Sequence, residues 1–260
     1  MKEILVTGAG GFIGKNLLNA LSEEREIHLT TFTKDHDQTY FKSLLNDVDY
    51  IYHLAGVNRP QHVEEFNTVN VGLTKDMIDM LTELKMKPTI IMSSSTQATL
   101  DNPYGQSKKQ AEAILLDYGK HSDAPIYIYR LTNVFGKWCR PNYNSVVATF
   151  CYNIARNVDI TISDPRKELE LVYIDDVVSD FIEILKQNEK SFVTYRTIKP
   201  TYKVTLGELA EKIFQLRDLN KTLKTRDFSD NFMKCLYATY VSYVEKQDSN
   251  CSKSNNNINF

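Results

Sequence analysis

Tyr104 and Lys108 stand four residues apart in the segment Tyr104-Gly105-Gln106-Ser107-Lys108, a spacing that puts both side chains on one face of a helix. A phenol ionises near pH 10, so service as a proton donor or acceptor near neutrality asks that this value fall by about 3. An ammonium about 4 Å away supplies roughly that much at an effective dielectric near 20. The pair is therefore suited to passing a proton to or from an oxygen. A third group should hydrogen-bond that oxygen, and Ser95, last of the run Ser93-Ser94-Ser95, is the candidate. Spacing alone does not single the pair out, because the chain has 15 tyrosines and Tyr195 with Lys199 repeats it. Lys199 precedes Pro200, which disfavours helix at that point. Lys108 leads instead into an apolar stripe at Ala111, Ile114 and Leu115. Tyr104, Lys108 and Ser95 are thus the candidate catalytic residues, and Tyr195 reads as a packing residue.

Gly8, Gly11 and Gly14 recur at three-residue intervals between the apolar run from Ile4 to Thr7 and the helically spaced Phe12, Ile13, Leu17, Leu18 and Leu21. That order reads strand, tight turn, helix. A helix start offers unpaired amides and partial positive charge to a diphosphate, and missing Cβ atoms let the backbone approach it closely. A phosphate loop of the nucleotide-hydrolase kind would need Gly at Ala9 and Ser or Thr at Asn16. Gly8, Gly11, Phe12, Ile13 and Gly14 are therefore the expected dinucleotide cradle. The second strand ends Thr31-Phe32-Thr33-Lys34, without the acid that holds a free ribose 2′-hydroxyl. Lys34 beside hydroxyls fits a 2′-phosphate and favours NADPH; Asp35, next in line, is able to serve a ribose and keeps NAD open.

These groups need a frame. Apolar runs at Ile27 to Phe32, Tyr50 to Leu54, Thr89 to Met92 and Ile126 to Leu131 follow the first, most of them separated by helical stripes such as Met77, Ile78, Met80, Leu81 and Leu84. The alternation predicts an α/β fold, a Rossmann-type doubly wound parallel sheet with helices on both faces. Ligands of such sheets bind at the carboxyl ends of the strands, where Ser95 falls. Past Leu131 the rhythm is lost: residues 136–143 read as loop, Val146 to Ala155 as helix, and Thr205 with Glu208 as a capping box opening another helix. Residues 1–133 are expected to be mainly dinucleotide-binding and 134–245 mainly a smaller substrate lobe, with 246–260 a polar, disordered tail.

The composition narrows the choice of partner. At 260 residues and 29.9 kDa, with 42% hydrophobic and 25% charged residues, the chain is long enough to bury a large core unaided. A formal charge of -2 with a pI near 6.2 provides no broad positive field for nucleic acid. No stretch reaches the ~20 apolar residues of a membrane span, and the amino terminus does not read as a secretory signal. Cys139, Cys151, Cys235 and Cys251 show no paired spacing, and the five histidines show no metal-ligand pattern. The expectation is a soluble cytoplasmic protein with reduced thiols and no metal.

Several segments together resemble the extended short-chain dehydrogenase/reductase family, whose members act largely on nucleotide sugars: Thr7-Gly8-Ala9-Gly10-Gly11-Phe12-Ile13-Gly14, His53-Leu54-Ala55-Gly56, Tyr104 to Lys108, Arg130 to Gly136 and Tyr173 to Val177. Leu54, Ala55 and Gly56 join the expected cofactor contacts through this resemblance, as do Tyr104 and Lys108, the latter on the nicotinamide ribose. A closer resemblance, carried by Ala55-Gly56-Val57-Asn58-Arg59-Pro60, by the short link from Ser95 to Tyr104 and by Phe135 to Ser145, is to the CapF-type reductases of bacterial capsular polysaccharide synthesis. It extends to about Tyr243. It implies NADPH-dependent reduction of the 4-keto group of a UDP-2-acetamido-2,6-dideoxyhexosulose, with a homodimer among the expected assemblies. The cupin domain with which that type epimerises C3 lies beyond the similarity, so no epimerase activity is carried over. Asn133, Arg140 and Asn144, in or near the loop after the fifth strand, are the candidate substrate contacts, the arginine suiting a diphosphate. Two alternatives stay open: an epimerase or dehydratase that keeps its coenzyme, and a weakly active NADP-binding module. Dehydratases of the family usually carry an Asp-Glu pair after the serine or threonine, where Thr96-Gln97-Ala98-Thr99 stands here.

Overall fold

The computed structural model describes residues 1–187, 193–222 and 229–244. Each apolar run expected as a strand is one: β1 (Lys2–Thr7), β2 (Ile27–Phe32), β3 (Tyr50–His53), β4 (Thr89–Ser95) and β5 (Ile126–Leu131). With β8 (Val193–Arg196) they form one parallel sheet in the order β2-β1-β3-β4-β5-β8. Strand residues alternate between two buried faces. Ile4, Val6, Tyr50, Tyr52, Ile91, Tyr127 and Tyr129 pack under α1 (Phe12–Leu21) and α6 (Ile174–Lys186). Leu5, Ile51, Ile90, Met92, Ile126 and Ile128 pack under α2 (Gln38–Leu44), α3 (Leu73–Glu83) and α4 (Pro103–Ser122). The tyrosines on the first face need partners for their hydroxyls. Tyr52 donates to the Phe181 carbonyl (2.8 Å) and Tyr129 to Asp180 (2.5 Å), which ties α6 to the sheet.

A second, smaller layer carries β6 (Asn133–Phe135), β7 (Glu168–Tyr173) and β9 (Thr201–Thr205), with β6 parallel and β9 antiparallel to β7. Its core joins Phe135, Phe150, Leu171, Leu209 and Leu236 from these strands and from α5 (Val146–Ala155), α7 (Leu206–Thr222) and α8 (Asn231–Val241). The capping box forms as expected: the Thr205 N–H donates to Glu208 and the Glu208 N–H to the Thr205 hydroxyl (2.9 and 3.2 Å). The later chain is not confined to this layer, since α6 and β8 return to the large sheet. The expected polar tail, with Cys251, lies outside the described residues.

Three boundaries differ from the apolar runs: β1 starts at Lys2, ahead of Ile4. β3 ends at His53, before Leu54, and β4 runs on through all three serines, because Ser93, Ser94 and Ser95 pair in register with Tyr129, Arg130 and Leu131. A continuing backbone ladder overrides the turn preference of serine. After Ser95 the chain makes one 3₁₀ turn (Thr96–Thr99) and enters α4, with Asn102 capping the Gly105 N–H (2.8 Å) and Pro103 at the first helical position. Gly105 lets the helix sit hard against that turn, for a Cβ there would lie 2.1 Å from the Gln97 carbonyl oxygen. Gly105→Ala should therefore cost about 1–3 kcal/mol in denaturant unfolding; an unchanged midpoint would mean that the seat of α4 can yield.

Candidate active site

The order of the large sheet reverses between β1 and β3, and a crevice opens at the carboxyl ends of strands at such a point. Here it is a cleft of about 990 Å³ between the sheet and the smaller layer. Gly8, Gly11, Phe12, Ile13, Gly14, Leu54 and Gly56 line one side, Ser95, Tyr104 and Lys108 the floor, and Asn133, Arg140 and Asn144 the side of the smaller layer. Sequence reasoning thus named residues that the fold does bring together. Two others stand apart: the Ala55 N–H donates to the Thr7 hydroxyl (3.3 Å), and Lys34 is exposed at the end of β2, outside the lining.

The glycine turn is tight. Gly8 has φ +71°, and a Cβ there would meet the Ala55 nitrogen at 2.6 Å; one on Gly14 would meet the Gly8 carbonyl at 2.4 Å. Its helix begins at Gly11 with no side-chain cap and no acidic residue in the first turn, which leaves first-turn amides to an anionic ligand. A dinucleotide diphosphate fits that donor set. Among the described residues no group of three His, Cys, Asp or Glu side chains gathers as a metal ion would need, and no helix is long and apolar enough to cross a membrane.

On the floor, one face of α4 meets the end of β4. The Tyr104 hydroxyl and the Ser95 side chain both face the cleft floor as neighbours, and the Ser95 oxygen accepts from the Gln97 N–H (3.2 Å). One turn on, the buried Lys108 ammonium donates to the Ser93 carbonyl (3.0 Å). Burial pulls the pKa of Lys108 down to about 8, with Glu112 opposing. The expected acidification of Tyr104 by this lysine is not what the structure shows. Burial holds the phenol above its ordinary value, only the neighbouring Ser95 side chain works against that, and the ammonium is turned to the Ser93 carbonyl.

Sequence reasoning missed the residues that brace this floor. Glu112, a further turn along α4 and 1% exposed, accepts from the Ser94 hydroxyl (2.5 Å), the Arg130 guanidinium (2.6 Å) and the Tyr195 hydroxyl (3.2 Å). Tyr195, expected as packing, is thus a half-exposed strand residue holding an ion pair. Asn70 lies in a π-helical turn (Phe66–Gly72) that precedes α3, a geometry frequent at functional sites. Its amide pairs with both backbone groups of Val57 (2.8 and 3.0 Å) and donates to the Ser107 hydroxyl (3.0 Å), which in turn donates to the Tyr104 carbonyl. His53 continues the network from Thr7 (3.0 Å) to Thr74 (2.9 Å). The run of mixed polar and apolar residues around Asn70 carries little sequence signal, whereas His53 opens the segment His53-Leu54-Ala55-Gly56.

The signature of the NAD dependent epimerase/dehydratase family spans residues 4–195, and this chain belongs to that family. It is similar to the UDP-2-acetamido-2,6-beta-L-arabino-hexul-4-ose reductase of Pseudomonas aeruginosa, at 42% identity over 242 residues covering 93% of this chain and 65% of that protein. The crystal structure of the capsular polysaccharide assembling protein CapF from Staphylococcus aureus has 42% identity and a TM-score of 0.84, covering 95% of this chain and 67% of that one. The chain therefore spans about two thirds of the length of these relatives. RMD from Pseudomonas aeruginosa complexed with NADPH, at 18% identity, shares the fold with a TM-score of 0.77 over 94% of this chain and 99% of that one.

His53 supplies a test of the network. Full burial drops its pKa to about 3, below the ~6.5 of an unfolded chain, so between those values the unfolded state binds the extra proton. Stability is complete above pH 6.5 and falls as pH drops below it, by about 2 kcal/mol at pH 5. Denaturant unfolding at pH 7 and pH 5 should show that loss in the parent and a smaller one in His53→Gln.

Proposed function

We propose that this chain catalyses the NADPH-dependent reduction of the C4 keto group of a UDP-2-acetamido-2,6-dideoxyhexosulose, in cytoplasmic nucleotide-sugar synthesis for a bacterial capsule. The observation that carries the reading is the gathering of Tyr104, Ser95 and Lys108 on the floor of one cleft whose other side is the glycine turn. The 42% identity to a hexul-4-ose reductase supports the substrate class. Lys34, exposed at the end of β2, supports the phosphorylated coenzyme, with NAD as the lesser alternative. In this reading the large sheet holds the coenzyme, the smaller layer holds the sugar nucleotide, and two copies of the chain pair as a homodimer.

Bound, the reduced dinucleotide supplies a hydride to the carbonyl carbon. The chain's residues supply the proton and the placement. Gly8, Gly11, Phe12, Ile13 and Gly14 would hold the diphosphate through backbone groups, while Leu54 and Gly56 would form the facing edge and Lys108 would hold the nicotinamide ribose. A phenol kept above its ordinary pKa by burial is protonated at neutral pH, which is the form a reduction needs. Tyr104 gives that proton to the ketone oxygen, Ser95 hydrogen-bonds the oxygen as negative charge develops, and the Lys108 ammonium offsets the phenolate left behind. Arg140 takes the substrate diphosphate, with Asn133 and Asn144 beside it. Dehydration would need a further acid after Ser95, and the turn from Thr96 to Thr99 has no carboxylate.

Tyr104→Phe should lower kcat for the UDP-4-ketosugar by about 10²–10⁴-fold while NADPH still binds; a variant as fast as the parent would remove Tyr104 from the chemistry. Net NADPH consumption, followed at the reduced nicotinamide's absorbance, separates this reaction from an internal redox cycle. The Lys108 charge is lost as pH rises through about 8. kcat/KM for the coenzyme should then fall about tenfold per pH unit above that point, and a profile flat to pH 10 would show that the charge is not needed.

A further inference from the structure

Trp138 is the single tryptophan of the chain, and its backbone is left-handed, at φ 68°, where a bulky residue is an outlier. Its side chain is far from hidden: the residue is 48% exposed and lines the cleft, together with Arg140 and Tyr143. The loop that carries it is held firmly on both sides. The Lys137 carbonyl accepts from the side-chain amide of Asn16 (3.2 Å), a buried residue of α1. The Cys139 carbonyl accepts from the hydroxyl of Tyr243, just past α8, and the Tyr243 carbonyl accepts from Arg156 (2.9 Å). Separate elements, one under the glycine turn and one in the smaller layer, thus fix the peptide groups flanking a single strained and exposed residue. Such strain persists only where the surroundings over-determine it, and it clusters where ligands are clamped.

We propose that Trp138 is a substrate-contact residue whose indole packs against the UDP portion of the sugar nucleotide, and that Asn16 and Tyr243 are positioning residues that hold it there. The inference rests on the reading of the cleft as a UDP-sugar site. The hexose carbonyl has to lie at Tyr104 and Ser95, so the nucleotide end of the molecule is what remains to be held elsewhere. An arginine for the diphosphate beside an exposed indole for a flat ring matches what a nucleoside diphosphate presents. The Lys137 ammonium, 5.0 Å from the indole centre, adds a cation on that loop.

Because Trp138 is the sole tryptophan, its emission reports on the loop directly. Titration of the full chain with UDP alone should change that emission saturably. Emission unaltered by UDP but changed by NADP+ would assign the ring to the dinucleotide and overturn the proposal. Trp138→Gly places at this position the residue that best tolerates a positive φ, so its thermal midpoint should equal or exceed that of the parent. Its KM for the ketosugar nucleotide should rise about tenfold with kcat and the KM for NADPH unchanged, and Trp138→Phe should restore most of the loss. Tyr243→Phe, which only frees the Cys139 carbonyl, should raise the same KM roughly fivefold and leave kcat alone. An unchanged KM in Trp138→Gly would overturn the assignment. Should the parent reduce no ketosugar, the proposed function falls, and calorimetric UDP affinity of parent and Trp138→Gly still judges Trp138: a weaker variant upholds the contact and equal affinity refutes it.

Discussion

One face of α4 lies against the carboxyl end of β4, and the site depends on that seat. Tyr104 meets the Ser95 side chain, Lys108 the Ser93 carbonyl, and Glu112 the Ser94 hydroxyl. The fit is metrical. Four residues of helix advance about 6 Å, and two residues of strand about 6.6 Å, so the step from Tyr104 to Lys108 matches the step back from Ser95 to Ser93. A helix entered one residue earlier or later would turn the phenol about 100° away. The short connection through the 3₁₀ turn, closed by Gly105 against Gln97 and capped by Asn102, leaves no slack for such a slip.

That seat buries charge, and the way it is compensated shapes the chemistry. A carboxylate as enclosed as Glu112 persists only when paired and hydrogen-bonded. Arg130 takes most of its capacity in a two-nitrogen contact, and Ser94 and Tyr195 take the rest. Lys108 is left with a distant share of that negative charge and one backbone carbonyl. Its ammonium is consequently among the less stable charges of the molecule, with a pKa of about 8. In the proposed reaction the same under-compensated cation is what a transient phenolate would find beside it. Had Lys108 been paired as fully as Arg130, its charge would already be spent in the resting protein.

Much of this was legible in the amino-acid sequence because it is local. The glycine turn after β1, the alternating apolar runs and the four-residue step from Tyr104 to Lys108 each reflect geometry within a few residues. The extent of β4 was not, since pairing with β5 decides whether three serines continue a strand or end it. The ionisation of Tyr104 is non-local for a related reason: spacing shows that an ammonium can reach the phenol, but the direction it points and the water lost around it are tertiary facts. Asn70 and Glu112 fall in the same class. Their roles follow from what Val57, Ser107, Ser94 and Arg130 bring to them across the fold, and no periodicity marks either.

β6 and β7 stand between two hydrophobic cores, Val134 and Val172 facing that of the large sheet and Phe135 and Leu171 that of the smaller layer, and the loop after β6 adds further ties over the cleft. Asn16 holds Lys137 from the coenzyme side, Tyr243 holds Cys139 from the smaller layer, and Tyr143 donates to the carbonyl of Arg59 in the loop after β3 (3.3 Å). These contacts are few and polar, worth about 1 kcal/mol each, and they add to the apolar packing of Val134 and Val172 against the core of the large sheet. A ligand touching both sides stabilises their approach further, increasingly so as its concentration rises above its Kd. In the proposed reaction chemistry and selectivity divide along the same line: the sheet end would fix Tyr104 as proton donor, and the tied loop would present Trp138 and Arg140 to the sugar nucleotide.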